Sequence, residues 1–239
     1  MRFIVNIANK NIYIDSIYKG IYDSCKDYMV GESVSHDIEI IIDENMLAEE
    51  YEQIKREKRD LPGLQTIEKQ LVHRKMAEAL IFHNTILIHG AVITLHNKAF
   101  MFTAPSGTGK TTHIQKWIES VEGTSVVNGD KPFVIINEEG AFACGTPWCG
   151  KENLGTNAIV SLQSIVFMER SEDNRIEKVE FKSIFPNLLG QTFRPVNADA
   201  MKKTLNLLLG LKDKVTFYKF YCNNYKEDNL EVSYNTLIL

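Results

Sequence analysis

Residues 104–112 read Ala-Pro-Ser-Gly-Thr-Gly-Lys-Thr-Thr, a small, uncharged stretch apart from Lys110, directly after the apolar run 99–103. Gly107 and Gly109 are free to take the positive φ angles that turn successive N–H groups inward, which makes a concave anion nest. Gly109, Lys110 and Thr111 meet the phosphate-loop pattern G-x-x-x-x-G-K-[S/T], with Ala104 at the first glycine position. A helix starting near Gly109 would aim its positive dipole end at the same point. Lys110 supplies a mobile ammonium to outer phosphates, and the Thr111 hydroxyl can ligate Mg²⁺. Ser106, Gly107, Thr108, Gly109, Lys110, Thr111 and Thr112 are therefore expected to bind a nucleotide or other phosphate ligand with Mg²⁺.

Other side chains carry weaker signals. His89, followed by Gly90 on an apolar strand, is as readily a hydrogen-bonded core histidine as a catalytic one. His113 reads as structural or surface, and His36, His73, His83 and His96 have no metal-ligand spacing. The loop 145–157 holds Gly145, Pro147, Trp148 and Gly150 ahead of Lys151 and Glu152. Loops beyond strand ends carry sites in α/β folds, so Lys151 is expected to neutralise phosphate and Glu152 to meet metal or substrate. Trp148 would anchor that loop, and Cys149 reads as a bystander. Arg170 and Arg175, flanking Ser-Glu-Asp-Asn, read as solvated, and the Leu205–Leu211 stripe as core or an oligomer face.

These residues need elements to position them. Residues 2–7, 11–14 and 38–42 read as strands, with a short helix between the second and third. The charged tract 43–60 reads as a solvated helix closed by Leu61-Pro62-Gly63. Ile67, Leu71, Met76, Leu80 and Ile81 fall near helical spacing, as do Thr111, Ile114, Trp117, Ile118 and Val121. Two strand-like runs, 85–95 and 98–104, join at His96-Asn97, and strands at 124–128, 133–137 and 164–170 follow. The remainder, to the C-terminus, reads as a helical half. Interleaved strands and helices predict an α/β fold, with a small α+β region over 1–63 and the phosphate-loop domain over 64–239.

The 239 residues carry 27 basic and 31 acidic side chains, a net charge of −4 that argues against nucleic acid or an anionic membrane as partner. No apolar run reaches signal-peptide or membrane-span length, and four sparse cysteines without a C-x-x-C pair suit a reducing compartment. A cytoplasmic protein is expected.

The series Ile-His-Gly-Ala-Val (88–92), the loop 103–113, Asn-Gly-Asp-Lys-Pro (128–132) and Gly-Thr-Pro-Trp-Cys-Gly-Lys-Glu-Asn-Leu-Gly-Thr-Asn (145–157) resembles the HPr serine kinase/phosphorylase C-terminal domain. More broadly it resembles the phosphoenolpyruvate-carboxykinase-like P-loop fold, over roughly residues 80–239, and most of all the short stand-alone bacterial members of the HPr-kinase group. The resemblance implies that His89 stands beside the phosphates and that Lys110 and Thr111 meet γ-phosphate and Mg²⁺. It implies that Asp130 is one member of an acidic pair that binds metal and activates the attacking hydroxyl, that Arg194 stabilises the transferring phosphoryl group, and that the protein is a homo-oligomer. Related kinases show two adjacent aspartates where this chain has Gly129-Asp130. The implied activity is Mg-ATP-dependent transfer of a phosphoryl group to a hydroxyl of a protein, peptide or small metabolite. The glycine keeps open a nucleotide-binding regulatory or interaction module with weak transfer.

Overall fold

Strand-favouring Ile, Val and Phe over the first residues form a hairpin of β1 (Arg2–Ile7) and β2 (Lys10–Asp15), turned by Ala8 and Asn9 at φ 54° and 59°. Two positive φ angles in a two-residue turn match the right-handed twist of the strands they join. The computed structural model, which describes residues 1–31, 33–57 and 60–239, continues with α1 (Lys19–Ser24), β3 (Met29–Val30) and β4 (Ile38–Ile41). The sheet order is β3-β1-β2-β4, with β4 parallel to β2. Helix α2 (Glu44–Arg56) fills most of the charged tract; Asp43 accepts a hydrogen bond from the Met46 N–H, and Lys55 and Arg56 sit in its last turn. Lys58 and Arg59, at the end of that tract, lie outside the described residues.

Helix α3 (Leu64–Ile81) buries Ile67, Leu71, Met76, Leu80 and Ile81, as their spacing predicts. It also buries Glu68, whose carboxylate accepts the backbone N–H groups of Ile17 and Tyr18. A buried carboxylate is tolerable when donors satisfy it. The helix packs on α1, α2 and β4, and the chain divides into two compact units, Met1–His83 and Asn84–Leu239. The division expected after Gly63 thus falls after His83, because α3 serves the core of the first unit.

The second unit contains β5 (Thr85–Leu87), β6 (Ala91–Leu95), β7 (Lys98–Thr103), α4 (Lys110–Ser120), β8 (Ser125–Asn128), β9 (Phe133–Asn137), β10 (Gly140–Cys144), β11 (Ile159–Arg170), β12 (Arg175–Lys178), α5 (Phe181–Gln191), α6 (Ala198–Gly210), β13 (Thr216–Cys222) and α7 (Asn229–Leu237). Its sheet runs β5-β9-β10-β11-β7-β6-β8. β7 and β13 pair parallel to β11, and β12 pairs antiparallel outside β13. The half beyond Arg170, expected to be helical, therefore contributes two strands. Thr216–Cys222, rich in aromatics, is drawn into the sheet by the open edge of β11. The run 85–95 is likewise two strands, broken at Ile88-His89-Gly90.

Side chains alternate across this sheet. Met101, Ile165 and Phe217 join one core with Ile184, Leu188, Leu207 and Leu208 of α5 and α6. Phe100, Phe102, Val166 and Phe220 join the other with Ile114 and Trp117 of α4 and Leu230 of α7. The fold is α/β, a mixed sheet with helices on both faces. Among the described residues no helix is long and apolar enough to cross a membrane.

Candidate functional site

β7 ends at Thr103 and α4 begins at Lys110, so residues 104–109 form the strand-to-helix loop that the motif predicts. Gly107 and Gly109 lie at φ 80° and 107°, the left-handed region where glycine is favoured. Ala104 is fully buried and continues the strand side of the core. Ser106 and Gly107 are exposed, as are Thr111 and Thr112 in the first turn of α4, while Thr108 donates its hydroxyl to the Pro105 carbonyl at 2.9 Å. The Lys110 ammonium folds back over the loop and donates to the Ala104 carbonyl at 2.8 Å and the Pro105 carbonyl at 3.4 Å. Burial pushes Lys110 below the ordinary lysine range, and Asp130 pulls against that shift.

The same edge of the sheet carries a second cluster. Ala91 at the start of β6 pairs with Phe102, and Asn128 at the end of β8 pairs with Val92, so His89 and Asp130 arrive beside the loop. His89 Nε2 lies 3.3 Å from Asp130 Oδ1, and Lys131 Nζ lies 3.6 Å from Asp130 Oδ2. The other ring nitrogen, Nδ1, is 2.9 Å from Gln191 Oε1. An imidazolium donates to both oxygens; a neutral ring donating from Nε2 accepts at Nδ1 once the Gln191 amide turns its NH₂ inward. Gln191 can serve either state. The His89 hydrogen bond holds the Asp130 carboxyl below the usual carboxylate range; Lys131 and Lys110 add to this, and burial opposes it.

Backbone bonds fix the pair. Asn128 Oδ1 accepts the N–H groups of Asp130 and Lys131 at 2.9 and 2.7 Å, and its amide donates to Thr146 Oγ1 at 2.9 Å. Thr103 Oγ1 donates to the His89 carbonyl at 2.6 Å, and the Gly90 N–H donates to the Asp130 carbonyl at 2.9 Å. Gly129 is held by close approach: a Cβ there would stand 2.8 Å from the Cys149 carbonyl oxygen and 3.2 Å from that of Leu154. Its φ is not in the positive region, so space, and not backbone conformation, excludes a side chain.

The loop 145–157 folds against Asp130. A Cβ on Gly150 would stand 3.2 Å from Asp130 Cβ and 3.6 Å from Glu152 Oε2, which puts the two carboxylate side chains around one point. Lys151 is exposed on the same loop. Cys149 is buried, and burial followed by the nearby Asp130 raises its thiol above the ordinary range, as suits a bystander. Glu138 sits beyond the far end of β9 from Asp130.

Thr192 pairs antiparallel with Ile88 and the Phe193 N–H bonds the Leu87 carbonyl, so the backbone passes His89 at Gln191 and leads alongside β5 into the exposed Arg194. Arg170 is exposed, as expected, and at the end of β11 it also donates to the Gly107 carbonyl of the phosphate loop. Asn224, beyond β13, donates to the Gly109 carbonyl at 3.0 Å. Gln191, Thr103, Arg170 and Asn224 carry no local motif. Only Asn128, in Asn-Gly-Asp, had a readable turn signal.

No family model and no curated protein matches the chain. Among solved structures it is similar to the HPr(Ser) kinase/phosphatase from Coxiella burnetii. The TM-score is 0.38 and the identity 10%, over 63% of this chain and 95% of that one. A likeness at that distance names no chemistry.

The residues that would hold Mg²⁺ are Thr111, exposed in the first turn of α4, and the partly exposed Asp130, whose carboxyl is held below the usual range. One hydroxyl and one carboxylate, completed by substrate phosphates and water, is the usual way a protein holds this ion. Among the described residues no three His, Cys, Asp or Glu side chains cluster into a metal cage.

Proposed function

We propose that this protein is a Mg-ATP-dependent kinase that transfers the γ-phosphoryl group to a hydroxyl of a protein, peptide or small metabolite. One observation carries the reading: the phosphate loop with Lys110 and the hydrogen-bonded His89–Asp130 pair meet at the same edge of one sheet. The motif resemblance to HPr kinases supports it.

Lys110 would leave the Ala104 carbonyl to neutralise the outer phosphates, and Thr111 with Asp130 would hold Mg²⁺, which supplies charge neutralisation. Asp130 receives the acceptor's hydroxyl proton as that oxygen bonds the terminal phosphorus and the bond to ADP breaks. A weakly basic carboxylate is enough, because phosphoryl transfer rests mostly on positioning. His89 orients the carboxylate and keeps it ionised. Lys151, on the loop against Asp130, would neutralise phosphate, and Glu152 would meet metal or substrate. The same reading suits a cytoplasmic protein, and the family resemblance suggests a homo-oligomer; the net charge of −4 speaks against nucleic acid or membrane as partner, and the four cysteines are free.

The test is incubation with Mg·ATP and hydroxyl-bearing acceptors. ADP release matched by acceptor phosphorylation, reduced at least about a hundredfold by Asp130→Ala, is the expected outcome. A second reading, a nucleotide-binding module without efficient transfer, is favoured by Gly129, where the packing leaves no room for a second acid. Tight ATP binding without turnover, indifferent to Asp130→Ala, would select it.

A further inference from the structure

β7 has two neighbours, β6 on one side and β11 on the other. His89 and Asp130 lie on the β6–β8 flank of the phosphate loop. On the β11–β13 flank, at the same edge, a cavity of about 490 Å³ opens between the loop and the strand ends, lined by Gly107, Gly109, Arg170, Asn223, Asn224 and Tyr225. Its size lies within the range of small-molecule sites, roughly 300–1,000 Å³. A polyphosphate laid along the loop with its terminal phosphate toward Asp130, as the phosphate-loop reading requires, would direct its other end at this cavity.

We propose that the cavity is the nucleoside subsite and that the Tyr225 ring is the face on which the base stacks. This rests on the phosphate-loop reading above. The Tyr225 side chain is 99% exposed, yet the segment that bears it is tied down. The Tyr225 N–H donates to Asn223 Oδ1 at 3.0 Å, the Asn223 N–H donates to Asn174 Oδ1 at 2.6 Å, and Lys116 Nζ donates to the Asn224 carbonyl at 2.7 Å. Asn229 Nδ2, from the start of α7, donates to the same Asn174 oxygen at 3.1 Å. A fixed backbone presenting a hydrated aromatic face beside a phosphate site suits stacking, because the backbone is already ordered and a tyrosine has only two χ angles left to fix when a base covers the ring. Arg170 borders both the cavity and the loop, where its bond to the Gly107 carbonyl joins the two subsites. The side-chain NH₂ groups of Asn223 and Asn224 already donate to the Glu172 and Gly109 carbonyls, while Asn224 Oδ1 is buried without a hydrogen-bond partner; the Tyr225 ring is the aromatic face among the residues that line the cavity.

The experiment compares the affinities of the intact chain for ATP and for inorganic tripolyphosphate in the wild type, Tyr225→Ala, Tyr225→Phe and Lys110→Ala. Tyr225→Ala should weaken ATP about tenfold and leave tripolyphosphate unchanged, while Tyr225→Phe keeps ATP binding. Lys110→Ala should weaken both ligands. If Tyr225→Ala leaves ATP untouched, or weakens both ligands equally, the subsite is wrong while the phosphate loop stands. If the wild type binds no tripolyphosphate, or Lys110→Ala changes neither affinity, the phosphate-loop reading fails and the subsite with it.

Discussion

Asp130 is governed by the residues around it. His89 supplies the largest stabilisation of its charged form, so the carboxylate stays ionised at a pH where an isolated aspartate would protonate. A depressed folded-state value means that the Asp130 contribution is present above the unfolded carboxylate range and is lost as pH falls through the lower folded value. Replacing His89 with Ala should therefore move the acid limb of the pH–kcat/KM profile to higher pH, toward an ordinary aspartate. An acid limb that stays put in His89→Ala would show that another group sets it. Gly129 makes the opposite point. Gly129→Asp would seem to restore an acid pair, yet the Cys149 and Leu154 carbonyls crowd the position. The variant is expected to lose about 1–3 kcal/mol of stability in a denaturant melt and to gain no activity.

At the scale of elements, α4 is locked to its neighbours through a buried histidine. Trp117 donates its indole N–H to His113 Nε2 at 3.1 Å, which makes that nitrogen an acceptor and leaves the proton on Nδ1, 2.7 Å from Asn229 Oδ1. Burial pushes His113 from 6.5 down to about 4. The unfolded chain then binds a proton that the folded chain refuses between those values, so stability is complete above the upper value and falls as pH drops toward the lower one. The loss is on the order of 3 kcal/mol over the window and flat below it. Denaturation series across this range should show the slope in the wild type and lack it in His113→Gln; equal slopes would refute the neutral buried ring. The sequence already marked α4 through its apolar spacing. It gave no sign that α7 completes the helix layer on the same face of the sheet, because the two helices are joined only through space.

For the whole molecule, the two compact units are each built around their own sheet. All four cysteines are buried and free, with Cys25 and Cys144 pushed up to about 12 by burial. Burial likewise raises Cys149 and Cys222. A thiol reagent at neutral pH should label none of them rapidly in the native protein and all four after denaturation; fast native labelling of Cys149 would show that the loop 145–157 opens.

The sequence by itself determined what is local. A glycine-rich loop after an apolar run, a lysine and threonine opening an amphipathic helix, and the Asn-Gly-Asp turn are each decided by a few neighbouring residues, through allowed φ angles, helix dipole and side-chain spacing. The type of the long periodic helices was fixed in the same way. Only the tertiary structure decided what depends on distant pairing. The entry of Thr216–Cys222 into the sheet beside β11, the membership of α3 in the first unit, and the arrival of Gln191 and Arg170 at the site all arise from strand register and packing. Those contacts join residues far apart in the chain, and no local pattern encodes them.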